Sequence, residues 1–443
     1  MGRLFGTDGI RGVAGEDLTT ELAFDLGRAA VLALGQEVHG RPTFVVGRDT
    51  RASGELLEKA LVSGICAAGG DALLAGVQTT PAIAFLTVDL GATSGVVISA
   101  SHNPPEDNGI KFFGSTGYKL PDKVEDEIER MLQEGERGST AEPGASRTLE
   151  RADHRYLEHL REAAEAPLVG WKVVIDCANG SASEVGAEAL RQLGAEVHPI
   201  FDRPDGTNIN DGCGALHPDV AAGHVIRLGA DAGVSLDGDA DRVLFSDASG
   251  NVIDGDQVVA ALALSLHGEG RLLGDRIVAT VMSNLGLLQS MEAAGVEVRT
   301  TAVGDRYVLE EMLSSGAVLG GEPSGHVILS EHATTGDGLL AAVKFLTLAA
   351  KQGTTVESLA ASMPRYPQVL ENVPVRDRTA LEDAEQVWAA VRDAELQLGR
   401  SGRVLVRASG TEPLVRVMVE AESEDDAGRH ARSIAECVRA VLG

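Results

Sequence analysis

The chain of 443 residues is longer than a single domain of roughly 100 to 200 residues, so three or four domains are predicted. Hydrophobic residues make up 44% of the sequence and aromatic residues only 3%, which predicts aliphatic cores in a soluble helix-and-sheet protein. The formal charge of -28 argues against nucleic acid and membranes as partners, because their phosphate groups are negative as well.

One local pattern occurs three times along the chain. A β-branched run leads into a polar loop, an Ala/Leu-rich amphipathic stretch, a glycine and a second apolar run, which is typical of a βαβ unit. The three copies are residues 43–77, 172–200 and 276–303, and their glycines are Gly70, Gly194 and Gly295. Each glycine is expected to end its helix, because helices commonly stop at a left-handed residue. The repeats predict three related parallel-sheet domains, although any large α/β protein contains such units.

The first loop that could carry chemistry follows an apolar run in SGVVISASHNPPEDNGIKFF, residues 94–113. Loops at the carboxyl ends of parallel strands are where α/β folds bind ligands. Ser101 could carry a phosphoryl group, with His102 beside it and Lys111 further along to neutralise charge or move a proton. Ser, Asn and Pro are also ordinary turn formers, so this loop alone leaves a structural interpretation open.

Composition marks the domain boundaries. Residues 133–153 are rich in Gly, Ser and Glu with little periodicity, which indicates a linker. Residues 362–375 contain three prolines and precede a final section of about 70 residues that alternates strands and helices, typical of a small α+β domain. The predicted domains are residues 1–150, 151–255, 256–365 and 366–443.

Three aspartates, Asp237, Asp239 and Asp241, follow the predicted strand AGVSL at alternate positions. Two carboxylates about 5 Å apart repel by roughly 3 kcal/mol at an effective dielectric of 20, so a bound cation would relieve a strained loop. An EF-hand would need Gly and Glu where this chain has Arg242 and Ala248. Oxygen-only ligands on a turn favour magnesium, and a solvated acidic turn is the alternative.

Two later loops have polar residues suited to a sugar phosphate. LGGEPSGHVIL, residues 319–329, brings together Glu322, Ser324 and His326, whose side chains could bind hydroxyl groups, although the segment alone could be a turn. VLVRASGTEPLVRVMVE, residues 404–420, predicts two strands around a phosphate nest, with a plain hairpin as the alternative. Its candidate residues are Arg407, Ser409, Gly410, Thr411 and Arg416.

The cysteines predict a reducing compartment. Cys66, Cys177, Cys213 and Cys437 lie far apart, without the paired spacing of a zinc or redox site. The N-terminus has no apolar targeting segment, and no apolar stretch approaches 18 residues, so we expect a cytoplasmic protein.

Five motifs in chain order, FGTDGIRG, SASHNP, DGDADR, GEPSGH and RASGTEP, resemble those of the α-D-phosphohexomutase superfamily over essentially the whole chain. The resemblance implies three similar mixed-sheet α/β domains plus a smaller C-terminal α+β domain around a central cleft. By motif position, Ser101 would carry the phosphoryl group, and Asp237, Asp239 and Asp241 would bind Mg2+ beside its phosphate, with Ser101 as the fourth metal ligand.

The same resemblance assigns the other residues. Lys111 would be the general base or acid, and Arg11 and Arg242 would stabilise the transferring phosphoryl group. Glu322, Ser324 and His326 would bind the sugar hydroxyls. The phosphate that is not being transferred would be bound by the set Arg407, Ser409, Gly410, Thr411 and Arg416.

Within the superfamily, segments such as DNGIKFF, ATVMSNLGL and RASGTEPLVRVM are most similar to phosphoglucosamine mutases. This implies conversion of glucosamine 6-phosphate to glucosamine 1-phosphate for amino-sugar nucleotide and cell-wall precursor synthesis, with glucosamine 1,6-bisphosphate as intermediate and activator. Pro323 stands where that family most often has glutamine, so sugar preference stays open. A phosphomannomutase/phosphoglucomutase and a non-catalytic sugar-phosphate sensor are the alternatives. The family also makes a homodimer and a diadenylate cyclase partner conceivable.

Overall fold

A computed structural model of the protein describes residues 4–6, 9–35, 40–134, 142–409 and 412–443. Strands in these described residues form four sheets, and the first three share one arrangement. A first strand pairs in parallel with a second on one side and a third on the other. A fourth strand then turns back antiparallel to the third. The expectation of three similar mixed-sheet α/β domains is confirmed.

The first sheet contains six strands. They are β1 (Ile10–Val13), β2 (Thr43–Arg48), β3 (Asp71–Val77), β4 (Ser94–Ile98), β5 (Asp107–Gly114) and β6 (Ser146–Thr148). Their order is β1-β5-β4-β2-β3-β6, with β5 antiparallel to both neighbours. The helices of this region are α1 (Thr20–Leu34), α2 (Gly54–Ala67), α3 (Thr80–Asp89) and α4 (Asp122–Glu134). Helix α5 (Ala152–Glu162) leads to the next sheet.

The second sheet contains five strands. They are β7 (Lys172–Asp176), β8 (Glu196–Ile200), β9 (Ala232–Leu236), β10 (Val243–Asp247) and β11 (Val252–Ile253), in the order β11-β10-β9-β7-β8. Its helices are α6 (Val185–Arg191) and α7 (Pro218–Leu228). Every residue of β4 and of β9 is buried, as expected for strands covered on both faces, and each strand ends at a loop with candidate site residues.

The third sheet contains β12 (Arg276–Thr280), β13 (Glu297–Thr301), β14 (Leu319–Gly321) and β15 (Val327–Leu329), in the order β13-β12-β14-β15. The helices in this part of the chain are α8 (Gly255–Gly268), α9 (Leu285–Ala294), α10 (Asp305–Ser315), α11 (Gly338–Gln352) and α12 (Val356–Ala360). An Asp254/Gln257 capping box starts α8, which pins the chain as it enters this region.

The fourth sheet is antiparallel and contains β16 (Gln368–Pro374), β17 (Gly402–Ala408) and β18 (Leu414–Ala421), in the order β16-β18-β17. Helices α13 (Glu385–Leu398) and α14 (Glu424–Leu442) complete a smaller α+β domain with its own valine- and alanine-rich core. The chain divides into two compact units, Met1–Met282 with Val296–Ser362, and Ser283–Gly295 with Met363–Gly443.

The three predicted strand-helix-strand repeats are present, but one helix-ending glycine was wrongly predicted. Gly295 caps α9 in the left-handed region, and Gly194, shortly after α6, also has a positive φ. After α2, however, the left-handed residue is Gly69, with φ of 91°, and not Gly70. A second glycine at the same turn makes the position ambiguous in the sequence. Among the described helices, none is both long and apolar enough to cross a membrane.

Candidate active site

Ser101 lies in the loop that follows β4, at the carboxyl end of the parallel strands. Its backbone is left-handed, with φ of 53°, and its side chain is buried. Its Oγ donates to Asp237 Oδ2 at 2.7 Å and lies 3.2 Å from His102 Nδ1. The loop therefore presents the serine oxygen to the aspartate loop of the second sheet.

Asp237, Asp239 and Asp241 lie between β9 and β10, and all three are buried. One ligand oxygen from each lies within 4.8 Å of the others. Burial raises the pKa of Asp237 well above its usual value, and the negative charges of Asp241 and Asp239 raise it further. Gathering three buried carboxylates is unfavourable unless positive charge compensates them.

The donor chemistry of this loop fits magnesium. The three side chains offer only oxygen, the donor that Mg2+ prefers. Asp241 Oδ1 is buried and accepts no hydrogen bond from the described residues. Asp237 Oδ1, by contrast, accepts a hydrogen bond from the backbone N–H of Arg242 at 3.1 Å, which fixes the turn. The loop thus fixes a cluster of carboxylate oxygens, and the oxygen that accepts no hydrogen bond within the described part of the chain could bind a cation.

Lys111 extends from β5 to this cluster. Its Nζ donates to Asp239 Oδ2 at 2.8 Å and lies 4.0 Å from Asp241 Oδ2. Thr80, at the start of α3, also donates to Asp239 Oδ2, at 2.6 Å. Two donors from the first domain therefore orient one carboxylate of the second, and Lys111 lies at the same aspartate cluster that the Ser101 hydroxyl contacts through Asp237.

Two arginines place further positive charge near Ser101. The pKa of His102 is lowered to about 4 by burial and then by the charges of Arg242 and Arg11. His102 is therefore neutral at pH 7. Burial lowers the pKa of Arg242, but the nearby carboxylates, with Asp241 foremost, outweigh burial and raise it. The predicted cluster of Ser101, Lys111, Arg11 and Arg242 is brought together around the aspartates.

Glu322, Ser324 and His326 lie in the loop of the β14–β15 hairpin. Glu322 Oε1 accepts from Gly304 N at 3.1 Å, and the Ser324 hydroxyl is buried without a hydrogen bond to the described residues. His326 Nε2 accepts from Gly336 N at 3.2 Å, while its Nδ1 lies 3.8 Å from Asp241 Oδ2. Burial lowers the pKa of His326, but the Asp241 carboxylate outweighs this and the pKa is raised. His326 thus connects the hairpin to the aspartate loop.

The candidate phosphate residues lie in the second compact unit, on the β17–β18 hairpin. Arg407 and Arg416 are directly opposite each other on the two strands. Burial, and then the charge of Arg416 on the neighbouring strand, lower the pKa of Arg407. Ser409 Oγ accepts from the N–H of Glu412 at 3.2 Å. Two adjacent arginines favour an anion. Gly410 and Thr411 lie outside the described residues.

Sequence reasoning missed several residues around these loops. Arg378 donates to the carbonyl of Ser409 at 2.7 Å, behind the phosphate loop. Arg51 donates to the carbonyl of Ser101 at 3.0 Å, and Asn210 donates to the same oxygen at 2.9 Å. Arg51 follows β2, so its place at the carboxyl end of a parallel strand was an available signal. Asn210 lies in a loop whose sequence has no periodic pattern.

The phosphoglucomutase/phosphomannomutase family matches the chain in four consecutive segments. Its alpha/beta/alpha domains I, II and III match residues 2–138, 154–250 and 254–366, and its C-terminal domain matches residues 370–437. A phosphoglucosamine mutase from Moorella thermoacetica is 53% identical over 430 residues, covering 96% of this chain and 97% of that protein.

Solved structures share the fold. A phosphoglucomutase/phosphomannomutase family protein from Burkholderia thailandensis superposes with a TM-score of 0.84 at 24% identity, covering 99% of this chain and 97% of that one. The N-acetylphosphoglucosamine mutase of Aspergillus fumigatus, solved in complex with GlcNAc-6P and magnesium, gives 0.67 at 20% identity, covering 99% and 96%. This chain therefore shares its fold with both solved structures over nearly its whole length.

Proposed function

The chain belongs to the phosphoglucomutase/phosphomannomutase family, and from that premise we propose that it interconverts glucosamine 6-phosphate and glucosamine 1-phosphate. It is an isomerase of the mutase class. Phosphoglucosamine mutases that are 50% to 53% identical over nearly the whole chain favour the amino sugar. The observation that carries the chemistry is the 2.7 Å contact between Ser101 Oγ and Asp237 Oδ2 inside a cluster of buried carboxylates.

In the proposed reaction, phosphoserine 101 gives its phosphoryl group to the free hydroxyl of glucosamine 6-phosphate. The bond from phosphorus to Ser101 Oγ breaks, a bond to the sugar oxygen forms, and the proton of the sugar hydroxyl passes to Ser101 Oγ, with Lys111 as the proposed carrier. The product, glucosamine 1,6-bisphosphate, turns over, and its other phosphoryl group returns to Ser101. Such a transfer needs positioning and charge neutralisation more than covalent catalysis.

The chain's own residues divide these tasks. Lys111 is the proposed general acid or base, since its ammonium group is buried close to the transfer. Arg11 and Arg242 stabilise the charge of the transferring phosphoryl group, and the neutral His102 adds no competing cation. Magnesium, held by Asp237, Asp239, Asp241 and an oxygen of phosphoserine 101, would supply further positive charge there.

The remaining candidates bind the substrate in this proposal. Glu322, Ser324 and His326 bind the sugar hydroxyls, and His326 does so from a position that also touches Asp241. The other phosphate is bound by Arg407, Ser409, Gly410, Thr411 and Arg416. One task falls to each of the proposed domains, 1–150, 151–255, 256–365 and 366–443, in chain order.

Substitution of the carrier tests the proposal. Ser101→Ala should abolish mutase turnover and the phosphoryl group found by mass spectrometry on the peptide that contains residue 101, because no other oxygen occupies that place. Ser115→Ala, the control, removes an exposed serine from the turn after β5. This variant should have the turnover and phosphorylation of the unsubstituted protein. Turnover retained in Ser101→Ala would refute the carrier role.

Sugar preference is tested separately. We would compare kcat/KM for the 1-phosphates of glucosamine, glucose and mannose, with magnesium and a trace of the matching 1,6-bisphosphate. A strong preference for glucosamine supports the proposal and shows that Pro323 is tolerated. Equal or reversed preference keeps the mechanism but assigns the protein to the hexose branch. A sensor without catalysis would exchange no phosphoryl group at all.

We also propose cytoplasmic residence and a role in amino-sugar nucleotide and cell-wall precursor synthesis. All four cysteines are free thiols, as a reducing compartment would keep them. A homodimer and a diadenylate cyclase partner stay predictions from the family resemblance.

A further inference from the structure

Arg51 is a buried arginine with no part in the mechanism above. Its side chain has 0% exposure and lies behind the loop that carries Ser101. A guanidinium group has five N–H donors, and all five are used here. Nε donates to Asp49 Oδ2 at 2.9 Å. The other four donate to the carbonyls of Ser101 at 3.0 Å, Asn103 at 2.8 Å, Asp107 at 3.0 Å and Pro104.

Asp49 extends this contact to the amide side of the carrier serine. It is fully buried, and its Oδ2 also accepts from the Ser99 hydroxyl at 2.6 Å. Ser99 Oγ in turn accepts the N–H of Ser101 at 3.0 Å. The peptide groups on both sides of Ser101 are thus held, which explains how a serine keeps a left-handed φ of 53°.

Asn210 grips the same loop from the second domain. Its Nδ2 donates to the carbonyls of Ser101 at 2.9 Å and Asn103 at 3.0 Å, two of the four that Arg51 binds. Gly238, inside the aspartate loop, permits the close approach, because a Cβ there would lie 2.6 Å from the Ser101 carbonyl oxygen. The backbone carbonyl of Ser101 therefore contacts the same aspartate loop that the Ser101 hydroxyl group faces.

The segment around Arg51 is fastened to the second domain as well. Thr50 Oγ1 donates to the carbonyl of Asn179 at 2.6 Å, and the N–H of Ala52 donates to the carbonyl of Gly206 at 2.9 Å. The residues on both sides of Arg51 are therefore hydrogen-bonded to the domain that carries the aspartate loop.

We propose that Asn210 and Arg51 are positioning residues for the carrier serine, an inference that rests on the function proposed above. Arg51 fixes the shape of the loop, and Asn210 fixes the distance between the Ser101 carbonyl and the loop that carries Asp237. Both hold the backbone, so the Ser101 side chain keeps only rotation about its Cα–Cβ bond. Their loss should slow phosphoryl transfer and leave sugar binding nearly unchanged.

The test uses two matched substitutions in one loop of the full-length protein. Asn210→Asp keeps the size of the side chain, and aspartate tolerates the left-handed φ of 59° at this position as well. The substitution replaces the NH2 group, which donates two hydrogen bonds, with an oxygen that faces the same two carbonyls. Asn208→Asp makes the same change at a more exposed side chain that donates to the carbonyl of Arg203. Arg51→Lys, which keeps the charge beside Asp49 but has fewer donors, tests the arginine.

Besides the steady-state KM, two quantities are measured: single-turnover transfer from the phosphoenzyme to glucosamine 6-phosphate, and hydrogen exchange of the backbone amides within residues 99–107. Asn210→Asp and Arg51→Lys should slow transfer roughly 10- to 100-fold and speed exchange, with KM within about twofold of the unsubstituted protein. Asn208→Asp should change neither quantity. Normal transfer per folded molecule in Asn210→Asp, or equal slowing in Asn208→Asp, would overturn the inference.

The two readouts separate this inference from the proposed function. If the unsubstituted phosphoenzyme transfers to no sugar phosphate, the proposed function fails, while the exchange comparison still decides whether Asn210 and Arg51 hold the loop. Unchanged exchange at residues 99–107 in both variants would refute the positioning role even in an active mutase.

Discussion

Asp337 is a buried carboxyl group whose ionisation should destabilise the protein at neutral pH. Burial raises its pKa from 3.8 to about 6, although it caps α11 by accepting from Leu340 N and accepts from the Tyr156 hydroxyl. A raised folded-state pKa gives stability that is complete below pH 3.8 and is lost as pH rises through about 6. Asp337→Asn keeps an acceptor for both donors and cannot ionise. We therefore expect the free energy of unfolding to rise by about 1 to 3 kcal/mol at pH 7.5 and to change little near pH 4.

Asp176 provides the matched control for this prediction. Burial raises its pKa to about 6 as well, but its two oxygens each accept a backbone N–H, from Ala178 and Gly214, both at 2.9 Å. An asparagine there would turn its NH2 group toward one of these two N–H donors. Asp176→Asn should therefore lower the free energy of unfolding by about 1 to 3 kcal/mol. Thermal unfolding followed by circular dichroism between pH 4 and 8 compares the two. Equal destabilisation by both substitutions would contradict the assignment for Asp337.

Single residues also show where sequence analysis stops. Ser101, Lys111 and the three aspartates follow or lie in strands of adjacent sheets, so their meeting could be anticipated from loops at carboxyl strand ends. Apart from Asp49, the partners of the Arg51 side chain are backbone carbonyls about 50 positions away, and those of Asn210 are carbonyls more than 100 positions away. Carbonyl oxygens are present at every residue, so no residue type in the sequence marks them as targets.

At the scale of elements, α9 depends on a carboxylate from β18. Glu420 has 0% exposure and accepts from Leu285 N at 2.9 Å and from Arg403 Nε at 3.1 Å. It therefore binds an amide at the N-terminus of α9, where helices favour negative charge. Glu420→Ala should reduce the stability of this part of the protein by about 3 kcal/mol. This value is near the low end of the range for breaking a buried ion pair, because Arg403 is 21% exposed.

Hydrogen exchange of the first turn of α9 measures this effect locally. A loss of about 3 kcal/mol corresponds to roughly 100-fold more frequent opening. Glu422→Ala removes an exposed carboxylate from the end of the same strand, bonded to Ser401 at 2.7 Å, and should leave exchange in α9 unchanged. If Glu420→Ala leaves that exchange unchanged too, the helix is held by packing and not by the carboxylate.

The elements differ in how well the sequence predicted them. In the three strand-helix-strand repeats, apolar residues recur with the spacing of a strand or a helix along each whole element. The sequence therefore predicted all three repeats. The β14–β15 hairpin has three residues in each strand, which is too short to show a period, so its segment was also compatible with a turn. The misplaced glycine at the end of α2 arose because two adjacent glycines satisfy the same requirement.

For the whole molecule, net charge should control thermal stability. With 66 acidic and 38 basic residues, the folded chain of charge -28 repels itself more than the expanded unfolded chain does. The Debye length falls from about 30 Å at 0.01 M salt to about 10 Å at 0.1 M, so added salt screens this long-range repulsion. Exposed ion pairs such as Lys59–Glu55 are screened as well, but an ion pair that is surrounded by water contributes little to stability. We therefore expect the Tm at pH 7.5 to rise between 0.01 and 0.3 M KCl, by about 1 °C for each kcal/mol of repulsion removed, because the entropy of unfolding grows with the length of the chain. Sucrose at matched osmolality, which does not screen charge, is the control for general solvent effects. A Tm that falls steadily with KCl would show that local ion pairs outweigh the repulsion of the excess negative charge.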